Sequence, residues 1–403
     1  MKIPSSEEWA KKCRDDGEFC LAARYWSGGI NLEIDGRSLS IRVNEGSALP
    51  GAADSNVLSF KGTEEFWSKM LAALPPRFHN ELFASMTTGQ GLERSGDSLL
   101  HAQYYPAAMR AIELLRPLAN DQSGSQAFPA EGVSPVGRYV NLLLEGHQHR
   151  IYYEEFGQGI PLLLQHTAGC HGSQWRHLFE WPEITNHFRL IAYDLPFHGK
   201  SLPPTSKRWW EESYDLRGDF LRSVPVELIK RLGLVDPVFM GCSVGGLLAL
   251  DLAQRYPDSF RAVISVEGSL KVEGDRSGSK EFYHPQVGSD YKARMMEGLT
   301  APTSPKALVK ETSFVYASGW PPVFIGDLQY YIDEFDITDD AGSIDTDRVG
   351  VHLLSGEYDW SGTSEMGRAA SAAITGSTWQ EMQGVGHFPM SENPEAFISY
   401  LLP

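Results

Sequence analysis

Apolar and polar positions alternate strictly through GGINLEIDGRSLSIRVNEG, with Ile30, Leu32 and Ile34 on one face of a first run, Leu39, Ile41 and Val43 on one face of a second, and Asp35-Gly36 between them. A period of two broken by Asp-Gly predicts a β-hairpin with a single buried face. NVLSFKG adds a third strand, after which Thr63 is placed as an N-cap, with Glu64 and Glu65 in the first turn of a helix reaching about Ala73. LLHAQYYPAAMRAIELLRPLA supplies a later helix, so residues 1–118 read as an α+β domain. NDQSGSQAFPAEGVSPVG lacks any apolar period and is rich in Ser, Gly, Pro, Asn and Gln, which predicts a linker over residues 119–136.

From residue 137 the pattern changes. YVNLLLEGHQHRIYYEEFGQG predicts an antiparallel pair turning at Glu145-Gly146, whereas IPLLLQH, FRLIAYDLP, PVFMGCS, RAVISVEG and GVHLLSGEYD are short, nearly continuous apolar runs with helical stretches between most of them. Strands apolar on both faces and alternating with helices imply a mostly parallel sheet covered on both sides, with reactive groups gathered at the C-terminal strand ends. The segment from Glu267 to the strand near Val351 exceeds a simple connection and is expected to form a helical cap at about residues 270–345. Its aromatic residues, among them Phe282, Phe324, Trp320 and Tyr331, suggest an apolar or aromatic pocket, although most of them are expected to pack the cap itself.

The chemistry concentrates at those strand ends. GCSVG, residues 241–245, places Ser243 between an apolar strand and the helical run GLLALDLAQRYP. A serine forced into a sharp strand-to-helix turn needs small neighbours, and Gly241, Gly245 and Gly246 meet that need. A hydroxyl also requires a base and a carboxylate to orient that base. His387, in the Gly-flanked loop of QGVGHFPMSENP, is the candidate base; Asp359, just beyond the strand of LLSGEYDWSG, is the preferred acid. Glu267 in VISVEGSL also follows a strand and stands as the alternative acid. An oxyanion formed by attack on a carbonyl needs two fixed donors. The Val244 amide is one, and the loop of LLLQHTAGCHGSQW offers the other, with Ala168 preferred and Thr167 beside it.

Composition narrows the range of partners. The chain has 403 residues, 42% of them hydrophobic and 22% charged, with no apolar run approaching the ~20 residues of a bilayer span. A net charge of −17 opposes nucleic acids, which are bound by neutralising phosphates. The N-terminal stretch MKIPSSEEWAKKCRDDGEF carries charges of both signs rather than an apolar or acid-free leader, so a cytoplasmic location is expected, and Cys13, Cys20, Cys170 and Cys242 are expected as thiols. His166 and His171 lack a carboxylate or cysteine cluster at ligand spacing; neither metal nor other cofactor is expected, and the partner is a small-molecule substrate. The N-terminal domain is a candidate surface for homodimerisation.

With YYEEFGQGIPLLLQHTAG, AYDLPFHGKS, GCSVGG, GEYD and GVGHFP in this order, the chain from about Gly137 to Pro403 resembles the α/β-hydrolase superfamily. The resemblance implies an α/β fold with the triad order Ser243, Asp359, His387, an acyl-enzyme route, and hydrolysis of a carboxylic ester or related acyl bond. C–C, lactone or amide cleavage by the same residues, and a non-catalytic ligand-binding role, stay open as alternatives. Serine at position 243 argues against dehalogenase and epoxide-hydrolase relatives, which generally carry Asp there. Asp194 and His198, in the family's Asp-x-x-x-x-Gly-x-Ser turn, are implied to organise a loop. The departure is His166-Thr167, where relatives show His-Gly. The order of elements in residues 1–118 resembles the sterol-carrier-protein-2 lipid-binding fold.

Overall fold

The computed structural model describes residues 4–117 and 135–402 and divides into two compact units, Met1–Gln122 with His284–Thr303, and Ser123–Tyr283 with Ser304–Pro403. Residues 119–134 of the expected linker lie outside the described residues.

The first unit is built on a five-stranded sheet of β1 (Ser27–Ile34), β2 (Arg37–Asn44), β3 (Ser47–Pro50), β4 (Val57–Gly62) and β5 (Glu93–Ser95), in the order β3-β2-β1-β4-β5. The expected hairpin is β1–β2, with Ile30 opposite Ile41 and Leu32 opposite Leu39. Asp35 and Gly36 turn the chain with φ of 46° and 78°, the doubly positive pair that matches the twist of the strands. β4 returns parallel to β1. Thr63 caps the next helix by accepting from the Phe66 amide, and this helix ends at Met70 rather than near Ala73. In the helix Ser98–Glu113, His101, Tyr105, Ala108 and Ile112 recur at helical spacing and are buried.

Residues 284–303, expected within the cap, belong to this unit instead. Their helix Ser289–Glu297 packs on Ser98–Glu113, with the Tyr291 ring 5.9 Å from Tyr105 and 6.5 Å from Phe83. Arg294 pairs with Glu113 and, at 2.8 Å, with Glu297. Burial opposes the Glu113 charge, but Arg294, Arg116 and Arg110 outweigh it and draw this carboxyl down to about 2.

The second unit carries an eight-stranded sheet of β6 (Val136–Leu144), β7 (His147–Gly157), β8 (Ile160–Gln165), β9 (Phe188–Tyr193), β10 (Val238–Cys242), β11 (Ala262–Val266), β12 (Gly350–Gly356) and β13 (Thr378–Met382), ordered β13-β12-β11-β10-β8-β9-β7-β6. The six strands from β13 to β9 run parallel, and β7 and β6 join antiparallel. Every residue of β10 is buried, as expected of a strand covered on both faces. One core joins Leu162, Leu164, Met240 and Val266 to Trp175, Phe179 and Met390 of the covering segments. Each such side chain contributes roughly 1.5–3 kcal/mol. No helix among the described residues is long and apolar enough to cross a membrane, and none of the four cysteines forms a disulfide.

One buried acid of the first unit yields a pH prediction. Glu81 caps the helix Leu82–Thr87 by accepting from the Ala84 amide at 2.9 Å, and burial pushes its carboxyl up to about 7 despite that bond and Arg294. A carboxyl raised on folding stabilises fully below its ordinary value, and that contribution is lost as pH rises through about 7. Urea denaturation should therefore show wild type losing roughly 1–3 kcal/mol between pH 5 and 8 that Glu81→Gln does not lose; equal pH slopes would refute the assignment.

Candidate active site

Ser243 occupies the bend between β10 and the helix Val244–Arg255, with φ 59° and ψ −114°. That conformation is unfavourable for a residue with a Cβ, by about 1–3 kcal/mol, and persists only where the surroundings impose it. Here they do. A Cβ at Gly241 would lie 2.2 Å from the Gly245 carbonyl oxygen, and one at Gly246 would lie 2.3 Å from that of Val266. The Ser243 amide donates to the Val266 carbonyl at 2.9 Å, which ties the bend to β11.

Asp359 follows β12 and His387 follows β13. His387 Nδ1 lies 2.6 Å from Asp359 Oδ2 and 3.1 Å from Ser361 Oγ; His387 and Asp359 are buried and Ser361 is half-buried. Asp359 Oδ1 accepts from the Ser361 amide at 2.8 Å and from its hydroxyl at 3.0 Å. Burial alone would raise the Asp359 carboxyl, but His387 and the donors of Ser361 and Gly362 outweigh it and hold the group below the ordinary carboxylate range. With Nδ1 committed to the carboxylate, Nε2 is the nitrogen left to act as base. The carbonyl of His387 accepts from Cys242 Sγ at 3.2 Å, which joins its loop to the strand that precedes Ser243. Among the described residues no hydrogen bond joins Nε2 to Ser243 Oγ, a contact that commonly tightens only with substrate bound.

Glu267 lies against Asp359. It follows β11 with φ 55°, and both its carboxyl oxygens accept from the Gly356 amide, at 2.8 and 2.9 Å. Burial, and then the charge of Asp359, push Glu267 well above the ordinary range, and the two carboxyls are hydrogen bonded to each other. Two carboxyls in contact share a proton. Here it resides on Glu267, leaving Asp359 as the charged partner of the imidazole.

The preferred oxyanion donors are both unclaimed among the described residues. Val244 begins its helix, where the first amides have no partner within the helix. In the loop after β8, the Thr167 amide donates to Gln174 Oε1 at 3.1 Å and the Gly169 amide to Asp327 Oδ2 at 2.7 Å, leaving Ala168 between them. The β-branched residue that departs from His-Gly is thereby accounted for: the Thr167 hydroxyl bonds Gln174 and Tyr316.

Two neighbours, Ser361 and Asp327, escaped the sequence reading, and a third, Tyr331, was read only as one of the cap aromatics that suggest a pocket. Ser361 supports both His387 and Asp359, and its only signal was its position two residues beyond the acid. Tyr331, in the turn Gln329–Glu334, brings its phenol to the hydroxyls of Ser243 and Ser361. Asp327 is wholly buried, a costly setting that marks a charge with a task but is invisible without coordinates. Asp194 organises its loop as expected, accepting from the Gly172 and Lys200 amides, each at 2.7 Å. His166 bonds the Thr167 carbonyl and the Leu195 amide, while His171 bonds Ser173 and Ser318. Among the described residues no group of three or more His, Cys, Asp or Glu side chains forms a metal cradle.

Residues 160–292 match the model of the alpha/beta hydrolase fold family. A pimeloyl-[acyl-carrier protein] methyl ester esterase of Vibrio vulnificus (strain YJ016) is 24% identical over 267 residues, 62% of this chain and 96% of that protein. The bifunctional epoxide hydrolase 2 of Sus scrofa is 31% identical over 172 residues, 42% of this chain but only 30% of that protein. Against the esterase of Vibrio vulnificus (strain CMCP6), 26% identical, the match covers 36% of this chain and about half of the relative, 51%. Among solved structures, a thermophilic esterase from Thermogutta terrifontis superposes with a TM-score of 0.57 at 19% identity, covering 66% of this chain and 96% of that one. The enol-lactonase from Burkholderia xenovorans LB400 does so with 0.53 at 20% identity, covering 66% and 98%. The chain thus carries the alpha/beta hydrolase fold, with esterases among its homologues.

Proposed function

We propose that the protein is a serine hydrolase that cleaves a carboxylic ester, or a related acyl bond, of a moderately apolar or aromatic small molecule. The observation that carries this reading is the 2.6 Å bond from His387 Nδ1 to Asp359, formed beside a strained Ser243 bend and two uncommitted amides. In this mechanism Ser243 Oγ attacks the acyl carbon and its proton passes to His387 Nε2, while Asp359 stabilises the imidazolium. The Val244 and Ala168 amides bind the oxyanion. The same proton then leaves with the alcohol, and a water activated by His387 releases the acid from the acyl-enzyme. Buried Tyr316, Phe324, Tyr331 and Phe388 near these groups support an apolar or aromatic acyl partner. A panel of aryl esters, lactones, amides and vinylogous diketones separates the ester reading from the other bonds this triad can open. For the first unit we carry forward the lipid-binding fold named for sterol-carrier protein 2, supported by its hairpin, parallel return strand and closing helix.

Two measurements test the catalytic assignment. A fluorophosphonate probe followed by peptide mass spectrometry should label Ser243, and Ser243→Ala should abolish that label and lower aryl-ester turnover roughly 10⁴-fold or more; a label elsewhere that survives the substitution would overturn it. Asp359→Asn should lower kcat about 10³- to 10⁴-fold by mis-setting the imidazole tautomer. Glu267→Gln should stay within about tenfold of wild type, because an amide replaces a neutral carboxyl and still offers an oxygen to Gly356 and an N–H to Asp359. The opposite ranking would move the acid role to Glu267.

A further inference from the structure

The loop after β8 is held on both sides of Ala168, and part of each hold comes from the insertion between β11 and β12. Tyr316, at the end of the helix Lys306–Ala317, bonds the Thr167 hydroxyl. Asp327, in the helix Pro321–Leu328, accepts the Gly169 amide at 2.7 Å. The remaining acceptor capacity of Asp327 is also used: Oδ2 meets His198 Nε2 at 2.9 Å, and Oδ1 accepts from the Tyr214 hydroxyl at 3.2 Å. His198 Nδ1 lies 2.9 Å from the Pro196 carbonyl, so both ring nitrogens face acceptors, the arrangement of an imidazolium. Burial resists that charge, yet Asp327 and the Pro196 carbonyl raise His198 above its ordinary value. His198 and Asp327 are both fully or almost fully buried, so neither charge can be left alone without a large desolvation penalty. Phe324, one turn before Asp327, closes the same contact. Gly169 has φ 66°, and a Cβ there would lie 2.7 Å from Phe324 Cβ.

We propose that Asp327, with His198 as its counterion, and Tyr316 are positioning residues for the oxyanion hole: acting through Gly169 and Thr167, they fix the amide of Ala168. The insertion then does more than line a pocket. It completes the electrostatic machinery, and displacing its helices would release the loop that carries one of the two oxyanion donors. This proposal rests on the serine-hydrolase reading.

The test uses the full chain, an aryl acetate as substrate, and fluorophosphonate titration to count competent sites, so that misfolded protein does not enter kcat. Asp327→Asn keeps the shape but not the charge, and places an N–H donor against donors. It should lower kcat per titrated site roughly 10- to 100-fold with KM within about threefold, and should slow labelling of Ser243 by a similar factor. Tyr316→Phe removes one hydroxyl from a packed ring and should shift the same two readouts in the same direction, by about 3- to 10-fold. A structural role alone would reduce the number of titratable sites while leaving kcat per site and the labelling rate unchanged. That result in both variants overturns the proposal. Failure of wild type to label at Ser243 would instead remove the hydrolase reading, and this proposal with it.

Discussion

Everything at the candidate site depends on how closely the helix Val244–Arg255 approaches β10. The backbone of Gly245 comes so near Gly241 that a methyl group would not fit between them, and the chain can make that approach only by turning through a positive φ at Ser243. The strain is local, while the packing that offsets it is distributed: β10 is buried along its whole length, and so is the helix through Ala253. The bend also leaves the first helical amide, that of Val244, without an intrahelical partner, so a hydroxyl on a strained turn and an uncommitted amide arise from adjacent residues.

A second constraint is electrostatic. An acid follows each of β11 and β12, Glu267 directly and Asp359 three residues on, and the parallel register that pairs Val266 with Leu354 brings the two acids to the same edge. Two charges cannot coexist in that buried space. Unequal surroundings separate them: Asp359 has an imidazole and the donors of Ser361 and Gly362, whereas the backbone offers Glu267 a single amide. The acid nearer the imidazole keeps the charge, and the other is left to donate a hydrogen bond. The number and kind of donors each carboxyl meets thus support the proposal of Asp359, rather than Glu267, as the acid beside the imidazole.

What was legible in the sequence followed from periodicity and local sterics. The hairpin at Asp35-Gly36, the Thr63 cap, the antiparallel pair at Glu145-Gly146 and the bend at Ser243 are each dictated by residues within a few positions. β13 carried no such signal. It is an edge strand whose one buried residue is Met382, and TWQEM lacks the continuous apolar run of its neighbours. Ser361 and Asp327 stayed hidden for another reason: the contact of Ser361 with His387 and those of Asp327 with Gly169 and His198 join segments far apart in the chain, and a serine or an aspartate in a loop or helix has no local pattern that announces such a partner. The departure at Thr167 was visible as an anomaly, and only the Tyr316 and Gln174 contacts give it meaning.

The connection between β11 and β12 was the least legible segment because it serves two cores. Its apolar and aromatic residues predict burial without saying where. Tyr291 belongs to an aromatic group with Phe83 and Tyr105, and Arg294 answers the charge of Glu113; Tyr316, Phe324 and Asp327 turn to the loop after β8. The first unit is therefore discontinuous in sequence, and cutting the chain near residues 119–136 would not yield that unit whole. The missing piece would be the helix Ser289–Glu297, whose loss leaves Glu113 without its closest counterion and uncovers the face of Ser98–Glu113 that carries Tyr105. The loss of one of the cations gathered around Glu113 and an aromatic face opened to water both favour unfolding. An excised N-terminal fragment is thus a poor stand-in for the unit, and its function can be assigned only in a chain that retains His284–Thr303.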